Sequence, residues 1–336
     1  MALRSGITMM MAKDKTSNGG EKLPHVVSTT IEHVAVLKAL ATMEREGTID
    51  VTLVEPDAYG IVGAEQLVDA ITSRTVMVSV MHSNNEVGSL QPIGEIARRV
   101  KRKKHDVIVH TDAAQSVGKV KLDVKNELSH VDLITVVGHK FGAPKGVGCL
   151  WIRSESCAAL PPLLEGGGQE GGMRAGTENV LGISAMGAAA QLILDDGIDV
   201  VTTHLKTMRD ALATDLENAL RKHGIAQGYK LNGPCDETRH DVLLPNECVL
   251  PNTLSIVLPV DANTLINVMK DDVACSAGSA CHAGSHAMSH VLKAMGMSMA
   301  DARGTLRLST GRHSTREEMA RAAEIIARTA LKLATN

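Results

Sequence analysis

The residues best suited to chemistry are an aspartate and a lysine, each just beyond an apolar run. Asp112 lies in His110-Thr-Asp-Ala-Ala-Gln115 after Val107-Ile-Val, and Lys140 closes Gly138-His-Lys140 after Leu133-Ile-Thr-Val-Val137. If both runs are parallel strands, both side chains stand at the carboxyl ends of strands, where open α/β sheets bind ligands. A lysine amine can tether an aldehyde, and a carboxylate can keep a pyridine nitrogen protonated so that the ring draws electrons; pyridoxal 5'-phosphate (PLP) needs both. On these two residues alone, ordinary surface side chains are the better reading. Their surroundings change it. Gln115 can hydrogen-bond a ring phenolate oxygen, and Asn85, in Asn84-Asn85-Glu86, adds an amide at the same sheet edge. His33 offers a flat imidazole to stack on the ring, in a chain with only one Phe, one Trp and two Tyr. Taken singly, His33 is an ordinary helix-start histidine.

A second group of residues could act on a substrate. Cys281 sits in Cys275-Ser-Ala-Gly-Ser-Ala-Cys-His-Ala-Gly-Ser285, whose small residues describe an exposed loop, the setting a nucleophilic thiol requires. Cys149, Cys157 and Cys275 read instead as packed small hydrophobes. The stretch from Gly166 to Asn179 offers backbone amides and a hydroxyl to an anion, though glycine runs alone usually mark turns. In Leu306-Arg-Leu-Ser-Thr-Gly-Arg312 the alternation puts Arg307 opposite Leu306 and Leu308, where its guanidinium could clamp a carboxylate. Without a substrate it is a surface strand arginine.

The elements that must position these residues follow from pattern and length. At 336 residues and 44% hydrophobic content the chain can fill one large or two moderate domains. A formal net charge of −3 offers no field to gather nucleic acid, and no apolar run approaches the ~20 residues that cross a bilayer. Six cysteines without paired-ligand spacing argue against disulfides and a zinc site, hence for a reducing, cytoplasmic setting. The acid-free start up to Lys13, with Arg4, leaves a mitochondrial presequence as the alternative. From Val51 to Leu150 short apolar runs alternate with amphipathic stretches, the rhythm of a mostly parallel sheet with flanking helices. Val76 to Met81, Val107 to His110, Leu133 to Val137 and Gly148 to Ile152 read as strands. Ile93 to Lys104 reads as a helix whose basic end, Lys101 to Lys104, is solvated. Helices at Gly182 to Leu194 and Val200 to His223 lead into a smaller α+β domain with strands Thr253 to Leu258 and Thr305 to Leu308 and a last helix, Thr315 to Leu333. The expected division is 1–198 and 199–336, with Cys235 to Val249 an irregular excursion.

Together these stretches resemble the cysteine desulfurase and selenocysteine lyase family of fold-type I PLP enzymes. The likeness runs from about Pro24 to the C-terminus, through Thr30-Ile-Glu-His33, His82-Ser-Asn-Asn-Glu-Val-Gly88, His110 to Lys119, Gly138 to Gly146, Gly166 to Glu170, Arg174 to Asn179 and Gly278-Ser-Ala-Cys281. The resemblance implies that Lys140 tethers PLP, Asp112 meets its pyridine nitrogen, Gln115 its phenolate, and Asn85 stands nearby. It implies that His33 stacks and moves protons, His139 helps bind the phosphate, and Thr177 reaches the phosphate of the other subunit of a homodimer. Arg307, with Asn85, would hold substrate, and Cys281 would take sulfur or selenium from L-cysteine or L-selenocysteine, leaving alanine and charging an acceptor protein, as in iron-sulfur cluster assembly. Two departures stand out. Val137 replaces a serine common in the family, and the family's N-terminal strand and Gly-Thr-Glu loop have no counterpart here. Met1 to Lys13 resembles the helix that follows that loop, so a truncated chain with a weakened phosphate cradle is expected. The rival readings are a catalytically impaired homologue that binds a partner, and another PLP lyase or aminotransferase of the same fold.

Overall fold

The computed structural model describes residues 1–14, 23–154, 160–225, 229–234, 248–278 and 288–335. The described chain divides into two compact units.

The first unit comprises Met1–Pro56, Val62–Ser83 and Gln91–Asp195. It holds strands β1 (His25–Thr29), β2 (Asp50–Val54), β3 (Thr75–Ser79), β4 (Ile108–Asp112), β5 (Leu133–Val137) and β6 (Gly148–Ile152). They form one sheet in the order β2-β1-β3-β4-β5-β6. The first five are mutually parallel and β6 runs antiparallel to β5. The crossovers carry helices α2 (Val34–Arg45), α3 (Ala64–Asp69) and α4 (Ile93–Lys103), with α1 (Ala2–Asp14) before β1 and α5 (Val180–Asp196) closing the unit. Parallel strands are covered on both faces, which is why β1 and β3 are buried along their whole length and read as unbroken apolar or small runs. Leu3, Ile7 and Met10 of α1 recur at helical spacing and pack with Leu40 and Met43 of α2 on Val26, Met77, Ile108 and Leu133 of the sheet.

Two sequence expectations need correction here. Lys101 to Lys104 is a solvated helix end only in part: Arg102 and Lys103 are exposed, but the three lysines are bonded into the fold. Lys101 Nζ pairs with the buried Asp132 carboxylate at 2.7 Å and donates to the Val107 carbonyl, Lys103 donates to that of Val68, and Lys104 to those of Ser73 and Thr75. The basic run staples α4 to the loops around it, through acceptors that local charge pattern cannot reveal. Cys149 is exposed rather than packed, because β6 is the antiparallel edge of the sheet and its first residues face outward. Cys275 is half-buried against a hydrophobic core as expected, and burial pushes its thiol up to about 11.

The second unit comprises Asp57–Ile61, Asn84–Leu90 and Asp196–Asn336. Its antiparallel sheet has the order β7-β8-β10-β9, with β7 (Lys230–Leu231), β8 (Thr253–Val257), β9 (Ser276–Ala277) and β10 (Thr305–Ser309). Among the described residues the helices that accompany it are α6 (Ile198–Lys222), α7 (Ala262–Met269), α8 (His290–Ala294), α9 (Met299–Arg303) and α10 (Arg316–Ala334). Leu212, Leu216 and Leu220 of α6 meet Met319, Ala323, Ile326 and Ala330 of α10 over the apolar side of β8 and β10. Thr315 starts α10 with a capping box, its hydroxyl accepting from the Glu318 amide while the Glu318 carboxylate accepts from the Thr315 amide. Among the described residues no helix is long and apolar enough to cross a membrane.

Candidate cofactor site

In the first unit the expected residues gather at the carboxyl ends of β1, β4 and β5. Asp112 is the last residue of β4 and pairs in register with Thr135 of β5. Lys140 follows at the end of a 3-10 turn, Gly138–Lys140, that begins directly after β5. Glycine makes this tight exit possible: a Cβ on Gly138 would stand 2.9 Å from the Val147 carbonyl oxygen. Lys140 and His139 are exposed.

Asp112 is poised for a cation. One carboxylate oxygen, Oδ1, accepts from the Ala114 amide at 2.9 Å, and no other hydrogen bond reaches the carboxylate among the described residues. Burial raises its pKa; the Ala114 amide and the nearby His33 imidazole pull it back down. A protonated pyridine nitrogen is the kind of partner the second oxygen lacks. His33 caps α2, its Nδ1 accepting from the Ala35 amide at 3.2 Å. In the neutral ring that contact leaves the proton on Nε2.

Three further features at this edge were not singled out from sequence. Glu32, beside His33, is fully buried; its Oε1 accepts from the Thr29 hydroxyl and the Met81 amide, both at 2.8 Å, so it joins the end of β1 to the chain leaving β3. Burial, opposed by those two donors, pushes its carboxyl up to about 8. His82 Nδ1 and Ser83 Oγ both meet Ser116 Oγ, at 2.8 and 2.6 Å, and burial pulls the His82 imidazole down to about 4, so it stays neutral. Lys119 Nζ donates to the backbone oxygen of Gln115 at 2.7 Å and to its Oε1 at 3.3 Å. A glutamate before the histidine and a lysine four residues after the glutamine were visible in the motifs, but their burial was not.

The other expected residues are distributed as follows. Thr177 is exposed, in the glycine-rich stretch where Glu170 (φ 51°), Gly171 and Gly172 take left-handed conformations. Asn85 and Arg307 belong to the second unit. Arg307 Nη1 donates to the Asn85 carbonyl at 2.6 Å, and Arg307 pairs in register with Ser276 of β9. Cys281 lies outside the described residues, as do Cys157 and Cys235. On the chain following Cys281, Ser289 Oγ donates to the buried Glu86 carboxylate at 2.5 Å, so Ser276 and Ser289 both tie that stretch to the unit that carries Arg307. A cavity of about 750 Å³ in the first unit, lined by Arg98, Lys101, Arg102, His105, Asp132 and Arg153 among others, borders none of the expected site residues.

A mostly parallel sheet with a half-buried aspartate, an amide, an imidazole and a lysine at its carboxyl edge is the arrangement of a fold-type I PLP enzyme, and this donor set fits that cofactor. The profile of the class-V aminotransferases matches residues 8–321. A cysteine desulfurase IscS of Clostridium botulinum is 36% identical over 304 residues, 90% of this chain and 71% of the relative. That of Methanosarcina thermophila is 37% identical over 314 residues, 93% of this chain and 72% of the relative. Among solved structures, a NifS-like protein superposes with a TM-score of 0.78 at 30% identity, over 98% of this chain and 79% of that one. The chain belongs to the class-V aminotransferase family, among its PLP-dependent cysteine desulfurases.

Proposed function

We propose that this chain removes sulfur from L-cysteine, with L-selenocysteine as a second substrate, and passes it through Cys281. The observation that carries the reading is the half-buried Asp112 carboxylate with one oxygen uncommitted among the described residues, on the strand next to the one that Lys140 follows. PLP, when bound, supplies an electron sink conjugated to the substrate's Cα. Lys140 would hold the cofactor's aldehyde carbon, and its Nζ would take the Cα proton. Asp112 would keep the pyridine nitrogen protonated, Gln115 would donate from Nε2 to the phenolate oxygen, and His33 would stack on the ring. His139 would help hold the phosphate, Thr177 would reach the phosphate of the other subunit of a homodimer, and Arg307, fixed by Asn85, would hold the substrate carboxylate. The Cys281 thiolate attacks the substrate sulfur: the Cβ–S bond breaks, a persulfide forms on Cys281, and alanine leaves. Thiol plus cysteine gives persulfide plus alanine, so no external oxidant enters.

A relative solved as "SspA in complex with cysteine", 28% identical with a TM-score of 0.68 over 94% of this chain, supports cysteine as the substrate class. The bacterial and archaeal sources of the relatives favour a cytoplasmic setting over a mitochondrial one. A homodimer is supported by exposed apolar side chains along residues 163–194, Leu181 at 86% and Leu194 at 73% exposure among them, the kind of surface that marks a protein contact. The deciding experiment measures alanine release from cysteine and selenocysteine, wild type beside Cys281→Ala. The variant is expected to lose nearly all cysteine turnover and keep part of the selenocysteine turnover, because selenide leaves more readily. Unchanged cysteine turnover would remove Cys281 from the mechanism.

A further inference from the structure

Lys119 has no part in the scheme above, yet its amine is committed to Gln115. It sits four residues beyond that glutamine, partly buried, and donates both to the backbone oxygen of Gln115 and to its side-chain oxygen. An ammonium has three donors and no acceptor, so only the oxygen end of the amide can face it. We propose that Lys119 is a positioning residue for the cofactor: it clamps Gln115 so that only the amide N–H2 is left to meet the ring oxygen, and it sets a second positive charge beside Lys140. This rests on the site reading under Proposed function.

Two physical points support it. A glutamine whose amide is free to flip presents acceptor and donor about equally, and an acceptor facing a phenolate is repulsive; the clamp removes that state. The proximity to Lys140 is electrostatically real, because burial first and the charge of Lys140 second pull the Lys119 amine down to about 8.

The test uses the PLP-loaded protein and two readouts besides turnover: the rate of PLP loss on dilution and the pH midpoint of the visible cofactor band. Lys119→Met is expected to lose PLP about tenfold faster, the scale of one charged hydrogen bond, and to move the midpoint upward by about one unit. Lys119→Arg, which keeps charge and donors, restores both. The double variant Lys119→Met/Gln115→Leu loses PLP no faster than Gln115→Leu alone, because the lysine acts through the glutamine; a merely structural lysine would give additive losses. Should Lys119→Met fail to fold, Lys119→Gln keeps a donor without the charge, and an unmoved midpoint in it overturns the proposal. A loaded wild type matched by Lys119→Met in both readouts overturns this inference alone, whereas a wild type that takes up no PLP overturns the site reading and this inference together.

Discussion

Glu32 shows how burial and function meet at one residue. Its carboxyl titrates near 8 in the folded chain against an ordinary 4.5, so the folded state holds a proton that the unfolded state has released between those values. Stability contributed by Glu32 is therefore fully present below about 4.5 and is lost as pH rises toward 8. Urea midpoints followed across this range are expected to fall in wild type and to fall less in Glu32→Gln, whose amide keeps acceptor and volume without the ionisation. Parallel slopes in the two proteins would show that the carboxyl ionises normally. Asp112, Lys140 and His33 were legible in the sequence because each stands just past a strand or at a helix start, and position along the chain implies position on the sheet edge. Glu32 and Lys119 were not, since what matters for them is the loss of water around an ordinary charged side chain.

Elements were the most readable level. β5 and β6 occupy the stretches their patterns implied, because apolar runs bounded by turns leave the chain few alternatives, and α10 begins where Thr315 and Glu318 can satisfy its first amides. Thr315→Ala removes the hydroxyl acceptor and is expected to lower stability by about 1 kcal/mol, read as a reduced urea midpoint with unchanged slope. A midpoint equal to that of wild type would mean that α10 is held by its packing on α6 alone. The misreadings share one cause. Lys101 finds Asp132, and Cys149 finds solvent, through strand order, which brings residues far apart in sequence together and decides which strand has no neighbour.

At the scale of the molecule, the exposed apolar residues before and along α5 are the surface on which the proposed homodimer rests. Leu181→Asp, at a position 86% exposed, is expected to leave the fold intact and to shift the protein from dimer to monomer in sedimentation. A monomeric wild type would withdraw the homodimer and, with it, the role given to Thr177. The route of the chain has a consequence for any attempt to divide it. The second unit takes in Asp57–Ile61 and Asn84–Leu90 from far upstream, and the latter visit supplies the carbonyl that steadies Arg307 and the carboxylate that receives Ser289. A fragment begun at residue 196 would keep the guanidinium and the serine but forfeit both of their anchors, so the proposed carboxylate clamp is a joint product of two distant stretches of sequence and is expected not to survive excision.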